Sequence, residues 1–378
     1  MVPLTVTFDM PGQIVTGLAN GSLVRTGGVV QDTSGKVVMW LREFSEMGVM
    51  NGISSGILPF TAATSMLNLG ISAVGFTVIL KRLKDLEKQL EKVQESLEKI
   101  ENKIDLSFYA NFRAALDLAI NSFTMKNLHN RRSSALCAIN RFLEAEYTYA
   151  DLADKELAIK SRIAGEYILA LCLAYVAEAR CYLELNEFDT AIKRFKEGKH
   201  EINIRIERYV DSLLTSKPLM YLHPKLKGRT DLSRLTRIYQ WKNSVQSENN
   251  NSLLTENSVF ELLRTNMVPQ RDMSWTSQVN EWIDSLPACV IEQKNVKRDI
   301  FGIKQEGREE TIQSLPVTFL KMESMIETSQ RFNAYQIQTK TISKLQISFN
   351  DWINLQPPTN KNEDKSLMYI IPEIPLSL

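Results

Sequence analysis

FTVILKRLKDLEKQLEKVQESLEKIENKI, residues 76–104, has the most regular pattern of apolar side chains in the chain. Apolar residues recur there at alternating spacings of three and four, and charged residues fill most positions between them. This set comprises Leu83, Leu86, Leu90, Val93, Leu97, Ile100 and Ile104. Such a repeat predicts an amphipathic helix with a heptad seam. Because Phe76 and Ile79 continue its phase, we expect one helix from about Met66 past Ile104, packed either in a coiled coil between chains or on the body of its own chain.

A segment without any charged residue precedes this pattern, from Met47 to Leu80, over 34 positions. Pro59 divides it, and the second part, Phe60–Leu80, would span about 30 Å as a helix, which is the thickness of a bilayer core. Lys81 and Arg82 follow it as a basic flank. We therefore predict that residues 46–81 are membrane-active and residues 82–106 are a heptad helix. A buried helix of a soluble core is the alternative.

Small residues in the uncharged segment indicate close contacts between helices. Gly70, Ala73 and Gly75 would let two backbones approach each other. The predicted membrane and oligomer segment therefore includes these three residues together with Phe76, Leu83, Leu86 and Leu90. This pattern suits a helix packed on copies of itself better than a lone span facing lipid.

The first 45 residues have the alternation of β-strands. Leu4, Val6 and Phe8 alternate with threonines, and Pro11–Asn20 suits a short helix between strands. Val29–Trp40 predicts a hairpin, since Gly35 can take the turn position that needs a positive φ. Residues 1–45 are therefore expected to form a small β-rich cap, too short to be stable alone.

Helical hairpins are predicted for residues 107–214. The string AINRFLEA, 138–145, recurs as AIKRFKEG, 191–198. The stretch 179–191 resembles the helix-turn-helix of tetratricopeptide repeats, with small residues where two helices touch and an aromatic residue beside the turn. The expected fold is thus mainly α: a β-hairpin cap, a long apolar and heptad helix, and a tetratricopeptide-like body.

Residues 215–310 are predicted to be irregular and partly basic, with an Asn/Ser-rich loop over Ser244–Ser258 and a short helix over Trp275–Leu286 that Pro287 ends. Between Lys217 and Lys242 the only acid is Asp231, and aromatic residues alternate with cations. Cations bind phosphates and aromatic rings stack on bases, so a nucleotide or oligonucleotide is one expected ligand and anionic lipid is another. The candidate ligand-binding residues are Lys225, Lys227, Arg229, Arg234, Arg237, Tyr239 and Trp241. A solvated face paired with acids elsewhere would explain the same stretch without any ligand.

The C-terminal part, residues 311–378, is predicted to be a helix followed by a tail. Leu315–Leu355 has helical spacing of apolar residues and is expected to form one or two helices, which Gln356-Pro357-Pro358 ends. Leu367–Leu378 is an apolar tail interrupted by two prolines.

Two short motifs match the spacing of known enzyme sites. Gly52-Ile53-Ser54-Ser55-Gly56 matches the G-x-S-x-G of serine hydrolases, but the glycine-rich, apolar flanks lack the required strand and helix. Arg194 and His200 have the R-x5-H spacing of HEPN-type ribonucleases, although apolar Phe195 follows the arginine. Neither cysteine nor histidine shows metal-ligand spacing. We therefore expect no enzyme, no metal and no cofactor.

Composition points to the cytoplasm. Basic and acidic residues nearly balance, 45 against 44, so no overall field attracts nucleic acid or membrane. The four cysteines lack the spacing of a disulfide framework, which suits a reducing compartment. The start of the chain lacks a secretory signal pattern. Residence in the cytoplasm, with association to the inner membrane, is the expectation.

The order of elements in residues 1–125 resembles that of a poorly characterised group of bacterial proteins. The resemblance lies in Gly27-Gly28-Val29-Val30 with Val37–Leu41, in Met66-Leu67-Asn68-Leu69-Gly70-Ile71, and in the charged heptad helix after them. In outline this is similar to membrane-acting effectors of anti-phage defence systems. The resemblance implies a homo-oligomer that forms a channel or breaches the inner membrane under control of a nucleotide or nucleic-acid ligand.

Sequence alone therefore favours a ligand-gated, channel- or pore-forming effector that partners with itself and the inner membrane. Two alternatives stay open: a soluble helical scaffold that binds a partner protein, and a HEPN-like ribonuclease.

Overall fold

The computed structural model of the chain is mainly helical, with one small antiparallel sheet. It describes residues 3–43, 79–80, 83–88, 90–91, 107–215, 221–222, 226, 228–247, 255–267, 282–283, 286–287, 289–290, 298–299, 302–303, 305–357 and 367–378. The helices are α1 (Gly12–Ala19), α2 (Ser107–Thr124), α3 (Leu128–Ala158), α4 (Ala164–Glu184), α5 (Phe188–Leu214), α6 (Leu232–Ser247), α7 (Glu256–Met267), α8 (Gln305–Leu345) and α9 (Phe349–Ile353). The strands are β1 (Leu4–Thr7), β2 (Leu23–Thr26), β3 (Val29–Asp32), β4 (Val37–Glu43), β5 (Arg298–Asp299), β6 (Gly302–Ile303) and β7 (Leu367–Pro372).

Contacts divide the chain into two compact units. The first comprises Met1–Ala150, Leu169–Ile202 and Glu327–Leu378, and the second comprises Asp151–Ile168 and Asn203–Ile326.

The N-terminal hairpin is confirmed, and its turn explains its register. Gly35 has a φ of 82°, a conformation that glycine adopts without the steric cost of a Cβ. The Asp32 carboxylate accepts hydrogen bonds from the backbone N–H groups of Ser34 and Lys36, each at 2.9 Å. The predicted short helix is α1, which packs on the sheet. The residues buried between them include Ile14, Val30, Met39 and Tyr369.

The sheet is larger than the expected cap, because the C-terminal tail completes it. Its strand order is β1-β7-β4-β3-β2. Strand β7 is antiparallel to both neighbours, with Ile370 opposite Val6 of β1 and opposite Trp40 of β4. The tail was expected only as an apolar segment. Since β7 lies between β1 and β4, the five-stranded sheet is complete only once the two ends of the chain meet.

Four helices, α2 to α5, occupy residues 107–214, where helical hairpins are predicted. The predicted turn near Glu187 connects α4 to α5, and Asn186 takes a φ of 60° there. The tetratricopeptide-like arrangement is not confirmed. Helices α3, α4 and α5 have 31, 21 and 27 residues, whereas a tetratricopeptide unit fits two helices into about 34 residues.

The repeated octapeptide occupies corresponding positions of α3 and α5. Ala138 and Phe142 in the first copy are fully buried, as are Ala191 and Phe195 in the second. The repeat therefore corresponds to the same pattern of buried positions in two helices.

Two C-terminal helices are present, of which the first begins earlier than predicted and the second ends at Ile353, just before Gln356-Pro357-Pro358. Helix α8 starts at Gln305 and continues through Pro316 to Leu345. Helix α9 follows a short break in which the Ser348 hydroxyl accepts a hydrogen bond from the Asp351 backbone N–H at 3.0 Å. This is an N-cap, which satisfies a backbone donor at the start of α9.

Two other predictions fall partly outside the described residues. Of the loop expected over residues 244–258, residues 244–247 belong to α6 and residues 256–258 to α7, and residues 248–254 are not described. Of the short helix expected over residues 275–286, Trp282 and Ile283 are described as helical. The long apolar helix is not confirmed, because only its end falls within the described residues.

Candidate functional site

The heptad segment, residues 79–104, is described at residues 79–80, 83–88 and 90–91, and its apolar residues there are buried by their own chain. Ile79, Leu83 and Leu90 are fully buried, and Leu86 is nearly so. Since this burial is measured on a single chain, packing within the chain accounts for these heptad positions. Gly70, Ala73, Gly75 and Phe76 lie outside the described residues, as do the later heptad positions from Val93 to Ile104.

A salt bridge supports this docking of the heptad segment. Arg113 of α2 donates a hydrogen bond from Nη1 to the Glu87 carboxylate. The Glu87 side chain is mostly buried, with 14% of its surface exposed, and Arg113 retains 32%. Partial burial makes a salt bridge worth more than the small value typical of exposed pairs. The neighbouring lysines Lys84 and Lys88 are exposed.

The described cations of the basic stretch are partly neutralised by acids. Arg234 donates two hydrogen bonds to the Glu323 carboxylate, at 2.8 and 2.6 Å, and Lys242 forms a salt bridge with Asp211 at 2.6 Å. Arg229 donates to the Gln313 side chain at 2.9 Å.

The aromatic residues of the stretch are only partly accessible. Trp241 is buried, and Tyr239 is half-buried with its pKa raised by burial and by Asp211. Arg237 is exposed. Lys225 and Lys227 lie outside the described residues. The arrangement leaves Arg237 as the described cation best placed to meet a ligand.

The R-x5-H pair does not form a joint site. All three guanidinium nitrogens of Arg194 bond to carboxylates: Nε to Glu178 at 2.6 Å, Nη2 to Glu146 at 2.5 Å, and Nη1 to Glu197. His200 is exposed and lies about 120° around the helix from Arg194. Three carboxylates therefore already neutralise and orient the Arg194 guanidinium, and the geometry does not favour a nuclease.

The buried cluster of Arg194, Glu146 and Glu178 contains two carboxyl groups and one guanidinium. Glu178 of α4 is fully buried and Glu146 of α3 nearly so. Oε1 of each receives no hydrogen bond from a donor group of another described residue, and the two carboxyl groups are hydrogen-bond partners of each other. The Arg194 guanidinium lies 5.2 Å from the Tyr175 ring centroid. Two buried carboxylates thus share one cation.

Burial is the main cause of the raised pKa values of Glu146 and Glu178. Burial, and then repulsion from Glu178, raises the pKa of Glu146 from 4.5 to about 10. Burial also raises the pKa of Glu178. A lone cation cannot offset two buried anions, so the pair retains a proton at neutral pH. Sequence reasoning found Arg194 but missed both glutamates.

Replacing Glu146 by Gln is expected to flatten the pH dependence of stability. The folded state keeps a proton that the unfolded chain releases above its ordinary pKa, so the free energy of unfolding falls as pH rises from about 4.5 toward 10. The slope is at most about 1.4 kcal/mol per pH unit for one proton. Glutamine keeps an acceptor for Arg194 and cannot lose this proton. Urea unfolding across this pH range measures the slope.

Glu144→Gln is the matched control, because Glu144 lies in the same helix and forms an exposed salt bridge with Arg141. It should keep the wild-type slope. Equal slopes for Glu146→Gln and wild type would show that Glu146 is ionised in the folded protein.

Within the described ranges, no group of three or more His, Cys, Asp or Glu side chains could hold a metal ion. None of the helices among these residues is long and apolar enough to cross a membrane. The serine motif at residues 52–56 and nearly all of Met47–Leu80 lie outside the described residues.

Comparison of the chain with models of known protein families, with characterised proteins and with solved structures finds no match.

Proposed function

We propose that this chain is a membrane-acting effector whose uncharged segment, Met47–Leu80, is restrained at rest by docking of the heptad segment on its own chain. The observation that carries this proposal is the burial of Ile79, Leu83 and Leu90 within a single chain. These residues end or directly follow the uncharged segment, so its C-terminal end is tied to the body. An untethered apolar segment of this length would be drawn to a bilayer.

The mechanism is a shift between two states. In the resting state the heptad residues pack within the chain, and in the active state they are released to pair with copies of the chain. A ligand can drive the change only by as much as it prefers the active state. Release would free the uncharged segment and the heptad seam together, which couples membrane insertion to oligomerisation.

The setting of this activity follows from the sequence. The chain would reside in the cytoplasm and act on the inner membrane as a homo-oligomeric channel or pore, without enzymatic chemistry. Anti-phage defence is the biological role that the layout of residues 1–125 suggests. A nucleotide or oligonucleotide ligand would meet Arg237 together with Lys225 and Lys227, since Arg234 and Lys242 are paired with acids.

Dye release from liposomes of bacterial lipid composition tests the proposal. Full-length chain should release dye once the heptad docking is weakened, by mild denaturant or by substitution. A variant lacking Met47–Leu80 should release none while keeping its helical circular dichroism. Release by the deletion variant equal to that of the full chain would contradict a role for this segment.

A soluble scaffold is the second candidate, and a specific surface favours it. On the outer side of α3, Tyr147 is 76% exposed and Leu136 is 46% exposed. Exposed aromatic side chains are enriched where proteins bind one another. The scaffold predicts that weakening the heptad docking lowers stability without producing membrane association.

A further inference from the structure

Two tryptophans and an arginine meet where the sheet contacts α9. Trp40 and Arg42 lie on β4, two positions apart, and therefore point to the same face of the strand. The ring of Trp40 contacts that of Trp352 of α9 edge to face, with centroids 5.5 Å apart. The Arg42 guanidinium carbon lies 5.7 Å from the Trp352 centroid. All three residues are at least 96% buried.

Arg42 has main-chain acceptors in place of an acidic partner. Its Nη2 donates to the Trp352 carbonyl at 2.6 Å, and its Nη1 donates to the carbonyls of Ile353 and Leu355 at 3.3 and 3.1 Å. Burial alone lowers the pKa of Arg42 to about 10. No carboxylate among the described side chains forms a salt bridge with it.

A second arginine of the same sheet, Arg25, has a carboxylate partner. Arg25 on β2 donates to both carboxylate oxygens of Glu327, each at 3.1 Å. A buried guanidinium is normally balanced by such an anion. The contrast makes the unbalanced charge of Arg42 unusual within this sheet.

Three buried N–H donors in this cluster have no acceptor: Trp40 Nε1, Arg42 Nε and Trp352 Nε1. Buried donors are almost always hydrogen-bonded, and leaving one unpaired is costly. Carbonyls in and just after α9 accept from both terminal nitrogens of Arg42, whereas its Nε has no acceptor. A positive charge and unpaired donors on three side chains in contact favour a negatively charged acceptor.

We propose that Trp40, Arg42 and Trp352 bind one small inorganic anion, of the size of chloride. Both N–H groups of Arg42 Nη1 and one of the two on Nη2 donate to carbonyls, so the two terminal nitrogens are not free together to hold a carboxylate or phosphate in bidentate fashion. The nitrogens without an acceptor lie one on each of three side chains, which suits a spherical ion. Deep burial favours an ion that can lose its water over a larger oxyanion.

Chloride titration of the full-length protein tests this site. Chloride replaces gluconate at constant ionic strength, and the midpoint of thermal unfolding and tryptophan fluorescence are recorded. The midpoint should rise with chloride and saturate, since a ligand that binds the folded state stabilises it. In Trp40→Phe and Trp352→Phe, the half-saturating chloride concentration should increase about tenfold, because each loses one N–H donor to an anion.

Trp282→Phe is the matched control. Trp282 is buried, but its Nε1 donates to Thr215 at 2.9 Å, so its loss should lower the midpoint and leave the half-saturating chloride concentration unchanged. A midpoint that does not depend on chloride, or an equal response in all variants, would overturn the site. A sulfate response as strong as that of chloride would overturn the assignment of ion size.

Bromide provides a measurement that requires no variant. Crystals of the wild-type protein soaked in bromide should show one anomalous peak within hydrogen-bond distance of Trp352 Nε1. Clear density for these three residues without that peak would refute the proposal.

Discussion

Replacing Arg194 by Ala is expected to lower the free energy of unfolding by about 3–5 kcal/mol, the range for removing one partner of a buried ion pair. The variant would leave Glu146 and Glu178 buried without the cation that they share. It would also remove the guanidinium from the Tyr175 ring. Urea unfolding at neutral pH, followed by circular dichroism, measures the loss.

The octapeptide repeat supplies the matched control for Arg194. Arg141 occupies the same position in the first copy, but it and its partner Glu144 are both 64% exposed. Exposed pairs contribute about 0–1 kcal/mol, so Arg141→Ala should have little effect. Adding Glu146→Gln to Arg194→Ala should recover part of the stability, because one uncompensated acid is removed. Equal losses for the two arginines would mean that the cluster around Arg194 is solvated.

Replacing Leu83 by Ala is expected to shift the chain toward the released state. Truncating a buried leucine costs about 2–5 kcal/mol, and this cost falls on the docked state alone. A loss of about 2 kcal/mol raises the population of the released state roughly thirtyfold. Flotation with liposomes and hydrogen exchange over residues 79–91 would detect the shift. Leu83 is suited to this test because it is fully buried and directly follows Lys81-Arg82.

The neighbouring Lys84 provides the control, since it is exposed in the same helical segment. Lys84→Ala should leave both flotation and exchange unchanged. The two proposed functions differ in the outcome for Leu83→Ala. Increased exchange with increased flotation supports the membrane effector, whereas increased exchange without flotation supports the scaffold.

Elements defined by local chemistry were predictable from the sequence. The hairpin from Val29 to Trp40 depends on its own turn, and the helices of residues 107–214 depend on the spacing of apolar residues. Strand β7 was not predictable in this way, because its partners Leu4–Thr7 and Val37–Glu43 lie more than 300 positions away. The apolar, β-branched and aromatic residues of Leu367–Ile371 allow a strand, but only long-range pairing determines one.

The candidate sites show the same distinction. The heptad pattern indicated which side chains are buried, but two kinds of partner fit it equally well. The basic stretch suggested a ligand, yet Glu323 and Asp211, which neutralise Arg234 and Lys242, are separated from them by 89 and 31 positions. A run of basic residues in a sequence does not show which acids, distant along the chain, neutralise it in the fold.

The burial of Glu178 could have been predicted from the sequence. In α4, Glu178 and Arg180 are the only charged residues between Glu166 and Glu184, in a run that is otherwise apolar or small. A charge in such a run predicts a buried polar contact. Glu146 gave no comparable signal, because α3 contains several acids.

Charge exchange between Glu87 and Arg113 tests the central claim most directly. Flotation with liposomes is compared for wild type, Glu87→Arg, Arg113→Glu and the double variant. Each single variant places like charges beside each other and should raise the membrane-bound fraction. The double variant restores opposite charges and should return to the wild-type distribution. Equal flotation of all four proteins, or single variants that unfold without binding membranes, would contradict the proposal that this docking restrains a membrane-active segment.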